Sequence, residues 1–193
     1  MKRTLLIAAC FLYVTAAPAQ TVQDPNRSMQ PSTQTQKPSM GERTGADSAL
    51  GVTPSTEEFV KDVALSDMFE LSSSKLAAER GDSKTKTFAN QMLKDHQKTT
   101  GELTALIKSN NISASPPSKL DPSHQKKLDK LKNLQGEEFD KQYGQDQVNA
   151  HETAVSLFQR YAKGGDNQAL KDWAAKTAPT LDSHLQMAQA LSQ

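Results

Sequence analysis

Apolar residues recur every three or four positions through four long stretches of this chain, and no segment alternates with period two. The first stretch carries Phe59, Val63, Ala64, Leu71, Leu76 and Ala77. It opens on Ser55-x-x-Glu58, a capping box in which each side chain satisfies a free backbone donor. It closes at Gly81, where a left-handed stop is expected. Asp82 caps the second stretch, whose face shows Phe88, Met92, His96, Leu103 and Leu106/Ile107 before fading at Asn110-Asn111. So short a joint predicts an antiparallel helical hairpin. A long connection follows, broken by Pro116-Pro117. Within it Asp121-Pro122 supplies an N-cap and a first-turn proline, and Leu128, Leu131 and Leu134 line one side of a short helix. The third long helix runs from about Glu137 to Lys163, with Asp140, Tyr143, Gln147, His151, Ala154, Phe158 and Tyr161 facing inward. Asp166 is expected to cap the fourth, which presents Leu170, Trp173, Ala174, Leu181, His184, Ala188 and Leu191. Pro179 is expected to bend it, because it removes one hydrogen bond and crowds the preceding turn.

This pattern predicts an all-α fold: a bundle of four long helices over residues 55–193, with a short extra helix in the connection between the second and third. The short helix spans about 20 Å. With its flanking loops it is long enough to cross the bundle from end to end. A crossover is therefore the favoured topology, with a folded-back loop as the alternative.

Upstream the composition changes. Residues 20–54 are rich in Pro, Ser, Thr and Gln and carry few large apolar side chains, so they read as a disordered tether. Residues 1–19 read as an export signal: Lys2 and Arg3, an apolar run from Leu5 to Val14, and Ala17-Pro18-Ala19 for cleavage. Ile7-Ala8-Ala9-Cys10 offers a lipoprotein box as an alternative. Lipidation at Cys10 would leave an apolar core of about six residues, short of the usual 7–15. The expectation is export to the periplasm or an outer-membrane-associated location, with no transmembrane helix after cleavage. Cys10 is the only cysteine, so packing alone must hold the exported fold. Removing residues 1–19 leaves 21 basic against 22 acidic residues. That balance argues against a nucleic-acid binder, which would show a basic face. An envelope partner or self-association through the outer helix faces stays open.

The candidate chemistry lies on the inner faces. His96, His151 and His184 occupy the apolar stripes of three different helices, and Glu70 lies near the inner face of the remaining one. Polar imidazoles are costly to bury without partners. Under a crossover these residues fall at similar heights, within about 9 Å of rise. Two readings follow. One is a hydrogen-bonded core layer in which Asp140, Tyr143, Gln147 and the imidazoles satisfy one another. The other is one transition-metal ion held by Glu70, His96, His151 and His184. A di-iron centre of the Glu-x-x-His type is not expected, because Leu93, Val148 and Leu181 stand three residues before the histidines. Asp121-x-x-His124 has ligand spacing, but Asp121 reads as a cap and His124 as a surface residue. Asp95 beside His96 could orient an imidazole, but adjacent helix residues point about 100° apart, so it is expected to face solvent. No nucleophile or phosphate loop points to catalysis, so a binding or structural role is favoured over an enzyme, with a mononuclear metalloprotein as the alternative.

The spaced motifs also carry a resemblance. Phe69-Glu70-Leu71 with Lys75-Leu76-Ala77, Phe88-Ala89-x-x-Met92-x-x-Asp95-His96, Gly136-x-x-Phe139-Asp140-x-x-Tyr143, His151, and Ala178-Pro179-x-Leu181-x-x-His184-Leu185 occur in order. Together they resemble a bacterial family of exported ferritin-like domains of unknown function, known as predicted outer-membrane or secreted proteins. The resemblance implies a ferritin-like four-helix bundle and an envelope location, and it supplies no activity.

Overall fold

The computed structural model describes residues 51–193, so the expected export signal and residues 20–50 of the expected tether lie outside the described part. Five helices and no strand occur among the described residues: α1 (Thr56–Arg80), α2 (Ser83–Ser109), α3 (Pro122–Lys132), α4 (Gly136–Gly164) and α5 (Gln168–Leu191). The chain is all-α, a helical bundle.

The helix starts follow local chemistry. Ser55 and Glu58 form the capping box, with the Glu58 carboxylate accepting from the Ser55 amide at 3.0 Å. Asp82 accepts from the Thr85 amide at 2.7 Å and Asp121 from that of His124 at 2.8 Å. At α5 the cap is Asn167, which accepts from the Leu170 amide at 3.1 Å. Asp166, expected there, instead accepts from Thr56 Oγ1 and Tyr161 Oη and so ties the start of α1 to the end of α4. Helix α5 continues through Pro179, which lies on its exposed side.

Gly81 is not the left-handed stop expected of it. Its φ is −66°, and its role is close packing: a Cβ there would sit 2.4 Å from Thr85 Cγ2. Gly165 is tighter against backbone, where a Cβ would lie 2.6 Å from Tyr161 Cε1 and 2.7 Å from the Tyr161 carbonyl oxygen. Gly165→Ala is therefore expected to destabilise by about 1–3 kcal/mol, as overpacking does. Urea unfolding reads this directly, and an unchanged midpoint would show that the α4–α5 turn yields freely.

Contacts between helix ends set the topology. The Asp82 amide donates to Asp140 Oδ1 at 3.1 Å and Arg80 to the Lys132 carbonyl at 2.9 Å, so α4 begins where α1 ends. Tyr161 meets Thr56 at 2.6 Å, so α4 ends where α1 begins. Residues 110–135 must then travel the length of α2, 27 residues or about 40 Å. The connection is a crossover, and α3 lies against α1 and α4 along the way. Around the bundle the order is α1, α2, α5, α4. Because α3 covers α1 from outside, the buried face of α1 is wider than the sequence stripe. Val60, Leu65 and Phe69 are buried, whereas Ala64, Leu71 and Leu76 are only half-buried.

Candidate metal centre

The apolar core comes in two clusters. One gathers Phe59, Leu103, Phe158, Tyr161 and Trp173 near the start of α1; the other gathers Phe88, Met92, Phe139, Tyr143 and Ala188 near its end. Between them every long helix turns a polar residue inward: Asp67 and Glu70 from α1, His96 from α2, Gln147 and His151 from α4, and His184 from α5. All six are buried.

One ring nitrogen from each of His96, His151 and His184 lies within 4.8 Å of those of the other two. Glu70, buried to 1 % exposure, is not within that mutual distance, although its charge acts on His96. The structure thus brings three of the four residues anticipated as ligands together and leaves the fourth beside them.

Each imidazole is held from behind. His96 Nδ1 stands 2.8 Å from Asp67 Oδ1, and Thr100 Oγ1 donates to the other oxygen of that carboxylate at 2.9 Å. His151 Nδ1 donates to the Gln147 carbonyl one turn back at 2.9 Å. His184 Nε2 donates to Asp95 Oδ2 at 2.9 Å, an oxygen that also accepts from Gln91 at 2.6 Å. Carboxylate and carbonyl oxygens only accept, so in the neutral ring each engaged nitrogen carries the proton and the other carries a lone pair. Those other atoms, His96 Nε2, His151 Nε2 and His184 Nδ1, are buried without a hydrogen-bond partner among the described residues, as are both Glu70 oxygens and Gln147 Oε1.

Nearby donors are spent elsewhere. The Tyr143 hydroxyl is 2.9 Å from Ser74 Oγ, and Ser73 Oγ donates to the Glu70 backbone carbonyl at 3.3 Å. Asp140, expected in this layer, is half-buried at the helix end and accepts from the Asp82 amide. Of the hydrogen bonds anticipated among Asp140, Tyr143, Gln147 and the imidazoles, the structure forms the one from His151 to the Gln147 carbonyl, while Tyr143 and Asp140 bond elsewhere. What the layer holds is a surplus of acceptors.

Burial sets the ionisation of these groups. It pushes the Glu70 carboxyl up to about 7 against the pull of His96. It drives His151 down to about 3, helped by the charge on His96. His184 is also lowered by burial, which the Asp95 bond opposes. At His96 burial works downward too, but the Asp67 hydrogen bond and the Glu70 and Asp67 charges together hold it above its ordinary value. His96 is thus the imidazole that takes a proton first.

Asp67 and Asp95 carry this arrangement; the sequence did not single out Asp67, and it offered Asp95 as an orienting group for His96, not His184. Asp67 lies three residues before Glu70 and so shares its face, which is the signal that could have found it. Asp95, expected in solvent, reaches α5 instead. Adjacent residues on a helix point about 100° apart, and α2 has neighbours on two sides, so His96 faces inward while Asp95 addresses His184. His124 is not a plain surface residue either. It is half-buried, with Nδ1 2.9 Å from Asp121 Oδ1 and its ring 5.5 Å from that of Phe69.

A family model described as a domain of unknown function, DUF4142, matches residues 41–191, a stretch that includes all five helices. No curated protein and no solved structure matches the chain significantly.

Proposed function

We propose that this chain, which belongs to the DUF4142 family, is an exported metal-binding bundle of ferritin-like topology that holds one divalent transition-metal ion on His96, His151 and His184. The observation that carries the reading is the acceptor surplus: three buried imidazole nitrogens converge with no donor among the described residues to meet them. Buried lone pairs without donors are costly unless a cation or protons satisfy them. Carboxylates and a carbonyl behind metal-binding imidazoles orient the rings and raise their basicity. An all-imidazole set suits zinc, copper or iron. Glu70 stands beside the ligands as a buried carboxyl rather than as one of them. The crossover supports the ferritin-like assignment, and the signal-like residues 1–19 support export.

The test uses protein made without a chelating tag, stripped, and titrated with zinc and copper(II). One equivalent is expected to bind. At metal concentrations about 100-fold above Kd, the stabilisation of about 2.7 kcal/mol raises the melting temperature by roughly 5–10 °C. His151→Ala is expected to abolish binding, and His124→Ala to leave it unchanged. Asp67→Asn, which keeps the shape behind His96 but loses the charge, weakens affinity about 10–100-fold. Binding also weakens as pH falls, since the proton on His96 competes with the ion. Metal-free protein whose melting is indifferent to both ions would leave the layer a purely structural element.

A further inference from the structure

The neighbouring helices α2 and α5 do not close on each other. Short side chains such as Thr87, Ser183 and Ala190 face one another there, leaving a groove of about 1070 Å³. Phe88, Met187 and Leu191 give it an apolar lining, and Met187 is one of two large hydrophobic side chains left exposed among the described residues. Its charges sit at opposite ends. Lys84 lies at the end of the bundle and makes no ion pair among the described residues. Asp95 lies eleven residues further along α2, about 16 Å away, and is already engaged by Gln91 and His184.

We propose that this groove binds an aliphatic carboxylate of medium chain length, its head on Lys84 and its tail on Phe88, Met187 and Leu191 toward His184. The charge pattern selects the sign of the head group. The Lys84 ammonium at one end attracts an anion, and Asp95, the one acid in the lining, keeps its negative charge about 16 Å away and disfavours a carboxylate head at that end. The volume suits a small molecule, since such sites run to about 1,000 Å³. A second protein copy would need a broader surface, on the order of 800 Å² per partner. The inference does not depend on the metal reading, because none of the converging nitrogens takes part.

Calorimetric titration with dodecanoate, below its micelle concentration and with both stripped and zinc-loaded protein, tests it. One saturable equivalent is expected in each. Lys84→Gln should weaken dodecanoate about tenfold, the order a charge-assisted hydrogen bond supplies, and leave dodecanol binding unchanged. Ser183→Trp should fill the groove and abolish both. Lys84 is exposed, so its variant carries the test even if Ser183→Trp fails to fold. No saturable binding, dodecanol bound as tightly as dodecanoate, or affinity indifferent to Lys84→Gln would overturn the proposal. So would ligand-free protein that light scattering shows to be a dimer disrupted by Ser183→Trp.

Discussion

Phe59→Ala is expected to cost about 4 kcal/mol, lowering the melting temperature by roughly 8–16 °C. Phe59 is fully buried in the first turn of α1. Its ring stacks on Tyr161 with centroids 3.9 Å apart and meets Phe158 at 5.2 Å and Trp173 at 6.2 Å. Truncation loses the transfer energy of the ring and leaves a cavity that three aromatic neighbours cannot collapse into, since Phe158 and Tyr161 are fixed on α4 and Trp173 on α5. The Tyr161 hydroxyl is further anchored by Thr56 and Asp166. Phe59→Leu, which refills part of the space, should recover much of the loss. Urea unfolding of both variants measures the pair. A loss below about 1 kcal/mol for the alanine variant would mean that the site repacks, contrary to the constraint described.

Glu70→Gln is expected to change stability in a direction that depends on pH. With the carboxyl raised to about 7 in the folded protein from an ordinary 4.5, the folded state keeps a proton that the unfolded chain gives up. The stability this confers is fully present below about pH 4.5 and is lost as pH rises through about 7. Glutamine keeps the shape of the protonated acid and has nothing to ionise. Relative to the parent, the variant should therefore gain about 3 kcal/mol between pH 4.5 and 7.5 in metal-stripped protein, and no more beyond. Comparing the two proteins at each pH cancels the opposite trend from His151, whose lowered value removes stability as pH falls below about 6.5. A pH-independent difference would show that Glu70 ionises normally despite its burial. In zinc-loaded protein the gain should shrink, because a nearby cation favours the carboxylate.

Most helix boundaries could be read from the chain because they rest on local chemistry. Ser55, Asp82 and Asp121 cap through their own following turns, which a sequence displays directly. Asp166 could not be read this way, because its partners Thr56 and Tyr161 come from two other helices. The three histidines were visible as polar breaks in apolar stripes. Their supports were harder to read: Asp67 gave no signal beyond its place on the face of Glu70, and Asp95, though adjacent to His96, serves His184, because both act between helices and their partners depend on which helix is adjacent. The same holds for Leu65 and Phe69 on α1. They fall outside a single stripe and are buried because the crossover carries α3 over that side.

The polar layer between two apolar clusters has a consequence for how the helices align during folding. A uniform stripe of leucine and alanine would let one helix slide along another by a turn, about 5.4 Å, and still bury oil against oil. Here such a slip of α5 would set His184 beside Met92 and Phe88 and Leu181 beside Glu70, stranding an imidazole and a carboxyl in hydrocarbon. The layer therefore serves as an index mark that admits one longitudinal register, as a single buried polar position does in a coiled coil. Misaligned but compact bundles are disfavoured even before any ion arrives.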